Sequence, residues 1–245
     1  MRKANGATVQ DRIVDLIHER RLAPGAPLPT EPQLVDLLGA SRNSVREAIR
    51  ALQALGIVEI RHGFGTFVGK ASLDILRPWM HFRIRAASSA ASSAASEAGS
   101  REQGSLDALR DLVEVREVLE VGLIARVAEN TGKHGSRHTS SAKLSALDAL
   151  VNAMQHDLEA DRAFHALLYE SLGNELVLQL IDLFWQVYHE VEPMLGEPQV
   201  RNEEIAANHR RIVEALREHN PQGAQEAMLR HFRDVKARIA KAVIS

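Results

Sequence analysis

Pro221, preceded by Asn220, limits the fold of this chain more than any other residue. It has no N–H to donate and its ring clashes with the preceding turn, so no helix can run straight through it. A histidine lies eleven residues from Asn220 on either side, His209 before it and His231 after it. If the chain folds back there as a helical hairpin, both imidazoles stand at one height on adjacent helices, at about 1.5 Å of rise per residue. Asp161 and His165 are four apart, so a helix carries both on one face. One carboxylate and three imidazoles at matched levels form a ligand set suited to a divalent ion: Zn²⁺, Mn²⁺, Ni²⁺ or Fe²⁺. Taken singly, Asp161-x-x-x-His165 is an ordinary surface pair, and His209 or His231 an ordinary cap or interior histidine. Their joint spacing is what points to a metal.

Composition narrows the classes further. A chain of 245 residues with 45% hydrophobic and only 4% aromatic residues can build two modest domains from aliphatic helix packing. The formal net charge is −2, but residues 1–70 hold ten Lys/Arg against seven Asp/Glu, and the remainder twenty against twenty-five. A mildly basic head on an acidic body suits a DNA reader joined to a module that does not touch DNA. The absence of cysteine excludes disulfides, cysteine-ligated zinc and thiol nucleophiles, and fits a reducing cytosol. Met1-Arg2-Lys3-Ala4-Asn5 opens no apolar core of signal-peptide length, and nowhere do about 18 apolar residues run together. A cytoplasmic protein without a membrane partner is the expectation.

The fold class expected is mainly α: a winged helix-turn-helix over residues 1–69, then an antiparallel all-helical bundle. Val9, Ile13, Leu16 and Ile17 share one helical face, with Thr8 as N-cap. Leu22 to Pro29 reads as a Pro/Gly-rich turn region. Thr30-Glu31-Pro32-Gln33 fits a capping box with proline in the first turn, opening a helix that buries Leu34, Leu37 and Leu38 and stops at Gly39. Ser41 caps a third helix with Val45, Ala48, Ile49, Leu52 and Leu55 facing inward. Ile57-Val58-Glu59-Ile60 and Thr66-Phe67-Val68 are short β-favouring runs around Arg61-His62-Gly63-Phe64-Gly65.

Residues 70–104 read as a connector. It contains Arg77-Pro78 and an Ala/Ser-rich stretch at 86–104 that has almost no large apolar residue and is expected to be flexible. Residues 105–245 then form the bundle. Leu106 to Glu129 is amphipathic, residues 131–141 form a polar loop, and helices follow at about 142–155, 158–172, 174–191, 202–219 and 222–243.

In the head, Ser41 to Arg50 is the recognition helix. Its apolar set holds it to the domain while Arg42, Asn43, Ser44, Arg46 and Arg50 are free to meet base edges and phosphates in a major groove. His62 and Gly63, at the hairpin tip, are placed to enter a minor groove, where glycine lets the backbone approach closely.

Residues 28–69 closely resemble the winged helix of the GntR family of bacterial transcription regulators. The likeness rests on Leu28-Pro29-Thr30-Glu31, Leu37-Leu38-Gly39, Ser41-Arg42, Val45-Arg46-Glu47-Ala48, Leu52, Gly56 and Gly63-Phe64-Gly65-Thr66-Phe67-Val68. It implies DNA contacts at Arg42, Arg46, His62 and Gly63. One departure is Pro32, where the family usually has arginine, so a contact is missing or supplied by Gln33. Residues 105–245 resemble the FadR-type effector domain, FCD. The motifs are Arg116-Glu117-Val118-Leu119-Glu120, Asp161-Arg162-Ala163-Phe164-His165, Gly173-Asn174, His209 to Leu216, and His231. That likeness implies a divalent metal on Asp161, His165, His209 and His231, with Arg116 helping to hold a carboxylate effector. Arg116 alone also reads as a surface salt bridge to Glu120, worth about 0.3–0.5 kcal/mol. Asn174 reads as a helix N-cap or as an effector contact, and Phe184, Trp185 and Tyr188 as core or pocket wall.

The reading is a dimeric transcription regulator, a repressor, binding a near-palindromic double-stranded operator under control of a small organic acid held at the metal site. The alternative is a metal-dependent hydrolase or lyase whose N-terminal domain only mediates contacts. Against it, no spare Glu or His is identifiable as a base, and a hydrolase has no use for a DNA-reading head.

Overall fold

The computed structural model describes residues 7–90, 99–131, 141–154, 157–195 and 202–242, and is mainly helical with one two-stranded sheet. The chain divides after Ile75 into two compact units.

The first unit holds α1 (Val9–Glu19), α2 (Glu31–Leu38), α3 (Arg42–Ala54) and an antiparallel hairpin of β1 (Val58–Arg61) and β2 (Gly65–Val68). Thr8 and Asp11 cap α1 reciprocally. The Ser41 hydroxyl accepts from Ser44 N at 3.1 Å and so fixes where α3 begins. Ile13, Leu16 and Ile17 from α1, Leu34 and Leu38 from α2, and Val45, Ala48, Ile49 and Leu52 from α3 make one core with Val58 and Val68. Each of these side chains except Ala48 contributes about 1.5–3 kcal/mol by leaving water.

Two leucines expected inside are outside, Leu37 at 52% exposure and Leu55 at 58%. Leu34 and Leu38, four apart, take the inward face of the short α2 and leave Leu37 to the side; Leu55 is the residue on which α3 ends. The Pro/Gly region is more than a turn. Gly25 N and Leu28 N donate to Val68 and Thr66 carbonyls at 2.8 Å, and Val68 N donates to Ala26 O, so residues 25–28 line the free edge of β2. Pro27 is tolerated there because an edge position need not donate.

The second unit contains α4 (Arg77–Ala90), α5 (Gly99–Thr131), α6 (Ser141–Ala153), α7 (Leu158–Glu170), α8 (Glu175–Val191), α9 (Asn202–Arg217) and α10 (Pro221–Ala242). Helix α5 is its axis, packed by α4 and α10 and also touched by α7, α8 and α9. Part of the expected connector is therefore helical: residues 77–90 pack on α5, Ile84 is buried, and its carbonyl accepts from the Ser105 hydroxyl at 3.0 Å. Pro78 does not prevent this, because in the first turn its missing N–H costs no intrahelical bond. Residues 99–104 belong to α5; residues 91–98 of the Ala/Ser-rich stretch and 132–140 of the polar loop lie outside the described residues.

Between α9 and α10 the chain turns through His219, at φ +53°, and Asn220, whose side chain accepts from Gly223 N at 2.8 Å. Pro221 then begins α10, so the break and the hairpin fall where the proline demands. Among the described residues no helix is long and apolar enough to cross a membrane.

Candidate metal centre and recognition face

Helix α7 carries Asp161 and His165 on one face, α9 carries His209 and α10 carries His231, and the bundle brings all four together. Ring nitrogens of the three histidines lie within 4.8 Å of one another. Asp161 Oδ1 stands 2.9 Å from His209 Nε2 and 3.8 Å from His165 Nε2. The His209 and His231 ring centroids are 4.4 Å apart, as the eleven-residue symmetry about Asn220 requires.

A second layer of contacts aims these groups. His165 Nδ1 faces Glu120 Oε2 at 2.6 Å, and His209 Nδ1 faces the Ile205 carbonyl at 2.8 Å. Each acceptor fixes the proton on Nδ1 and leaves Nε2 with its lone pair outward, the arrangement of a metal-binding histidine. The Trp185 indole N–H donates to Asp161 Oδ2 at 3.0 Å, so Oδ1 is the oxygen turned to the cluster. His165 Nε2 and His209 Nε2 are both buried; the first makes no hydrogen bond, and the second faces only the Asp161 carboxylate. An unsatisfied buried polar atom costs about 1–3 kcal/mol. Two buried ring nitrogens beside a carboxylate and a third imidazole are suited to a divalent ion.

The electrostatics agree with that fit. Burial opposes ionisation of Asp161, but the close contact with His209, followed by the charges of His165 and His209, outweighs it and holds the carboxyl well below its usual range. Burial, with His209 and His165 as neighbours, pushes His231 well below its usual range, so this imidazole is neutral and able to ligate.

Behind the histidines lies a buried group that the periodicity did not single out. Arg116 Nε donates to Glu120 Oε1 at 2.6 Å, and the Tyr169 hydroxyl donates to Glu120 Oε2 at 3.0 Å. The Arg116–Glu120 pair is thus interior, not a surface bridge. Burial would raise the Glu120 carboxyl, yet His165 and Arg116 outweigh it and keep it far below the carboxylate range. Burial likewise works against the Arg116 charge, but Glu120 and Asp161 more than compensate. Arg116 Nη2 is left buried without a hydrogen-bond partner, and the guanidinium carbon lies 5.5 Å from the Phe232 ring centroid. One sequence signal does mark Glu120. Arg116 and Glu120 interrupt the inward stripe Leu109, Val113, Ile124, Val127, where a charge must have an interior partner.

Asn174 is not brought to this cluster. It is exposed, caps α8 by accepting from Val177 N at 3.3 Å, and sits eleven residues before Trp185, about three turns away along the helix.

On the first unit, Arg42, Asn43, Ser44, Arg46 and Arg50 are all exposed along α3. Arg46 pairs with Glu31 at 3.1 Å and Arg50 with Glu47 at 3.0 Å. His62 and Gly63 are exposed in the β1–β2 turn. Gly63 has φ +80°, a left-handed conformation that glycine adopts at no steric cost. The Gln33 side-chain oxygen accepts from Thr30 N at 2.9 Å and from the Thr30 hydroxyl at 3.1 Å, so that oxygen is engaged in capping α2.

Comparison with known proteins adds to this geometry. Residues 111–234 match the FCD domain, and residues 5–68 match the bacterial regulatory proteins of the gntR family. The chain is 26% identical over 244 residues to the uncharacterised HTH-type transcriptional regulator YcbG of Bacillus subtilis, covering 99% of this chain and 93% of that protein. It is 26% identical over 239 residues to the HTH-type transcriptional repressor NanR of Cronobacter sakazakii, covering 96% of this chain and 85% of that protein. A solved GntR structure from Streptococcus agalactiae is similar at 27% identity with a TM-score of 0.61, covering 94% of this chain and 97% of that one.

Proposed function

Given that this chain belongs to the gntR family of bacterial regulatory proteins and carries an FCD domain, which makes it a transcription regulator, we propose that it is a repressor released or engaged by a small carboxylate bound at a divalent-metal site. The observation that carries this reading is the pair of buried ring nitrogens, His165 Nε2 and His209 Nε2, converging with Asp161 and His231. When bound there, a divalent ion supplies positive charge and open coordination positions for an anionic ligand. Arg116 Nη2 is the donor for the other end of such an acid, through a charge-assisted hydrogen bond. The repressor sense comes from the likeness to NanR.

On the DNA side, Arg42, Asn43, Ser44, Arg46 and Arg50 read the major groove from α3, while His62 and Gly63 approach the minor groove from the hairpin tip. Two heads on a two-fold dimer read a near-palindromic site in the cytoplasm. Effector binding favours one of two states of the dimer by differential affinity.

The test is a gel shift on DNA upstream of the protein's own gene, with metal-loaded protein and a panel of small organic acids. Sequence-selective, salt-dependent binding that one acid alters, and that EDTA renders insensitive to it, supports the proposal. Selective binding indifferent to both acids and chelator removes the metal-held effector from it. Turnover of an acid without DNA affinity would replace the regulator by a metal-dependent hydrolase or lyase.

A further inference from the structure

Phe64 stands in the turn between β1 and β2 and is 83% exposed, more than any other large apolar side chain among the described residues. Three residues on, Phe67 shows the contrast: its ring is half-buried, with the Arg61 guanidinium carbon 4.3 Å from the centroid. Phe64 lies outside the aliphatic core of the head. Its backbone is nevertheless fixed. Phe64 N donates to the Arg61 carbonyl at 2.9 Å, which closes the turn. The residue is carried between Gly63 and Gly65, at φ +80° and +113°. A Cβ built on either glycine meets nothing within 4 Å, so the ring projects with bare backbone on both sides. Such a tip can be pressed close against another surface. A single exposed hydrophobe is ordinary. One mounted alone on a closed turn, beside His62 and Gly63, is placed to be buried by whatever the tip meets.

We propose that Phe64 is an apolar wedge for DNA: it enters the minor groove, presses between adjacent base pairs and bends the duplex toward the major groove. The proposal rests on the DNA reading above and adds the ring that does the deforming. Charge separates this contact from those of α3. Between Arg61 and Lys70 the hairpin carries no lysine or arginine. Arg61 itself donates through two nitrogens to Glu59, each at 3.0 Å. The tip is thus poor in phosphate-seeking groups, and its affinity comes from taking an exposed ring out of water. A wedge meets least resistance at a pyrimidine–purine step, which kinks and unstacks easily. The operator is then selected in part by base pairs to which no side chain hydrogen-bonds.

The test uses the full chain and the upstream DNA of the gel shift, with circular dichroism to confirm an unchanged fold. Circularly permuted fragments measure the bend, and the slope of log Kd against log salt concentration measures the phosphate contacts. Phe64→Ala should weaken selective binding by about tenfold or more, leave the salt slope unchanged and remove most of the bend. Phe64→Leu, which keeps an apolar wedge, should retain much of both affinity and bend. Wild-type affinity and bend in Phe64→Ala overturn the wedge and leave the DNA reading intact. Weaker binding with an unchanged bend, or with a shallower salt slope, also overturns it, because the side chain then acts without deforming the duplex. A wild-type chain with no selective DNA affinity overturns the DNA reading itself.

Discussion

In the winged head, Arg46 reaches Glu31 at 3.1 Å with both side chains in solvent; in the bundle, Arg116 reaches Glu120 at 2.6 Å with hardly any of either exposed. The contrast extends to further groups. Arg50–Glu47 and Arg61–Glu59 in the head are exposed pairs over an aliphatic core. Among the described residues, the buried polar side chains Ser105, Arg116, Glu120, His165, Asn208 and His209 all belong to the bundle. A surface pair is worth about 0–1 kcal/mol, so Arg46 can leave Glu31 for a phosphate at almost no cost to the fold. A buried charge cannot change partners so cheaply, because each partner it leaves is stranded in a poor solvent. Reading DNA requires charges that move, and holding a small ligand requires charges that stay.

The largest effect that could break this contrast is the loss of Glu120. Glu120→Ala strands Arg116 and frees His165 Nδ1, and should cost about 3–5 kcal/mol in urea unfolding of the bundle. A loss below about 1 kcal/mol would mean that the interior pair behaves like a surface one. The same residue predicts a pH dependence. Its folded carboxyl is depressed, so its stabilisation is complete above the unfolded value of 4.5 and is lost as pH falls through the folded value. The stability gap between wild type and Glu120→Gln should therefore narrow below about pH 4.5 in a urea titration at stepped pH.

Trp185→Phe, which removes the indole hydrogen bond to Asp161 and part of the ring that His189 packs against, should weaken metal binding by about 10–100-fold in competition with a chromophoric chelator. Arg46→Ala should cost operator affinity about 1–3 kcal/mol in a gel shift while shifting unfolding by less than about 1 kcal/mol. The smallest effect is expected at Asn174. Asn174→Ala removes a cap worth about 1 kcal/mol of bundle stability and leaves the effector response unchanged. An altered response would return Asn174 to the ligand.

Much of the fold was legible because it follows from local rules. Thr8, Ser41 and the Pro221 break each act within one helical turn, and the eleven-residue symmetry of His209 and His231 is a matter of helical rise. What the residues hid was set by packing. Residues 77–90 read as connector because the harmlessness of Pro78 in a first turn depends on where the helix starts, and that start is decided by α4 meeting α5. The edge pairing of residues 25–28 with β2 joins segments some forty residues apart and leaves no periodic trace. Trp185 reads as core at its spacing; only the approach of α8 to α7 turns its N–H onto Asp161. The Arg116–Glu120 pair was visible as a pair, but its burial depended on which side of α5 faces the bundle.

The bond from Trp185 to Asp161 has a practical consequence. The chain has two tryptophans, and the other, Trp79, lies on the exposed α4 surface. One indole is therefore hydrogen-bonded to a candidate ligand of the ion, while the other reports from elsewhere on the bundle. Ions with unpaired electrons quench nearby indole emission and closed-shell ions do not, so exchanging Ni²⁺ for Zn²⁺ should brighten one of the two signals selectively. For the proposed ion, Trp185 would thus serve as a built-in optical gauge, readable without any label.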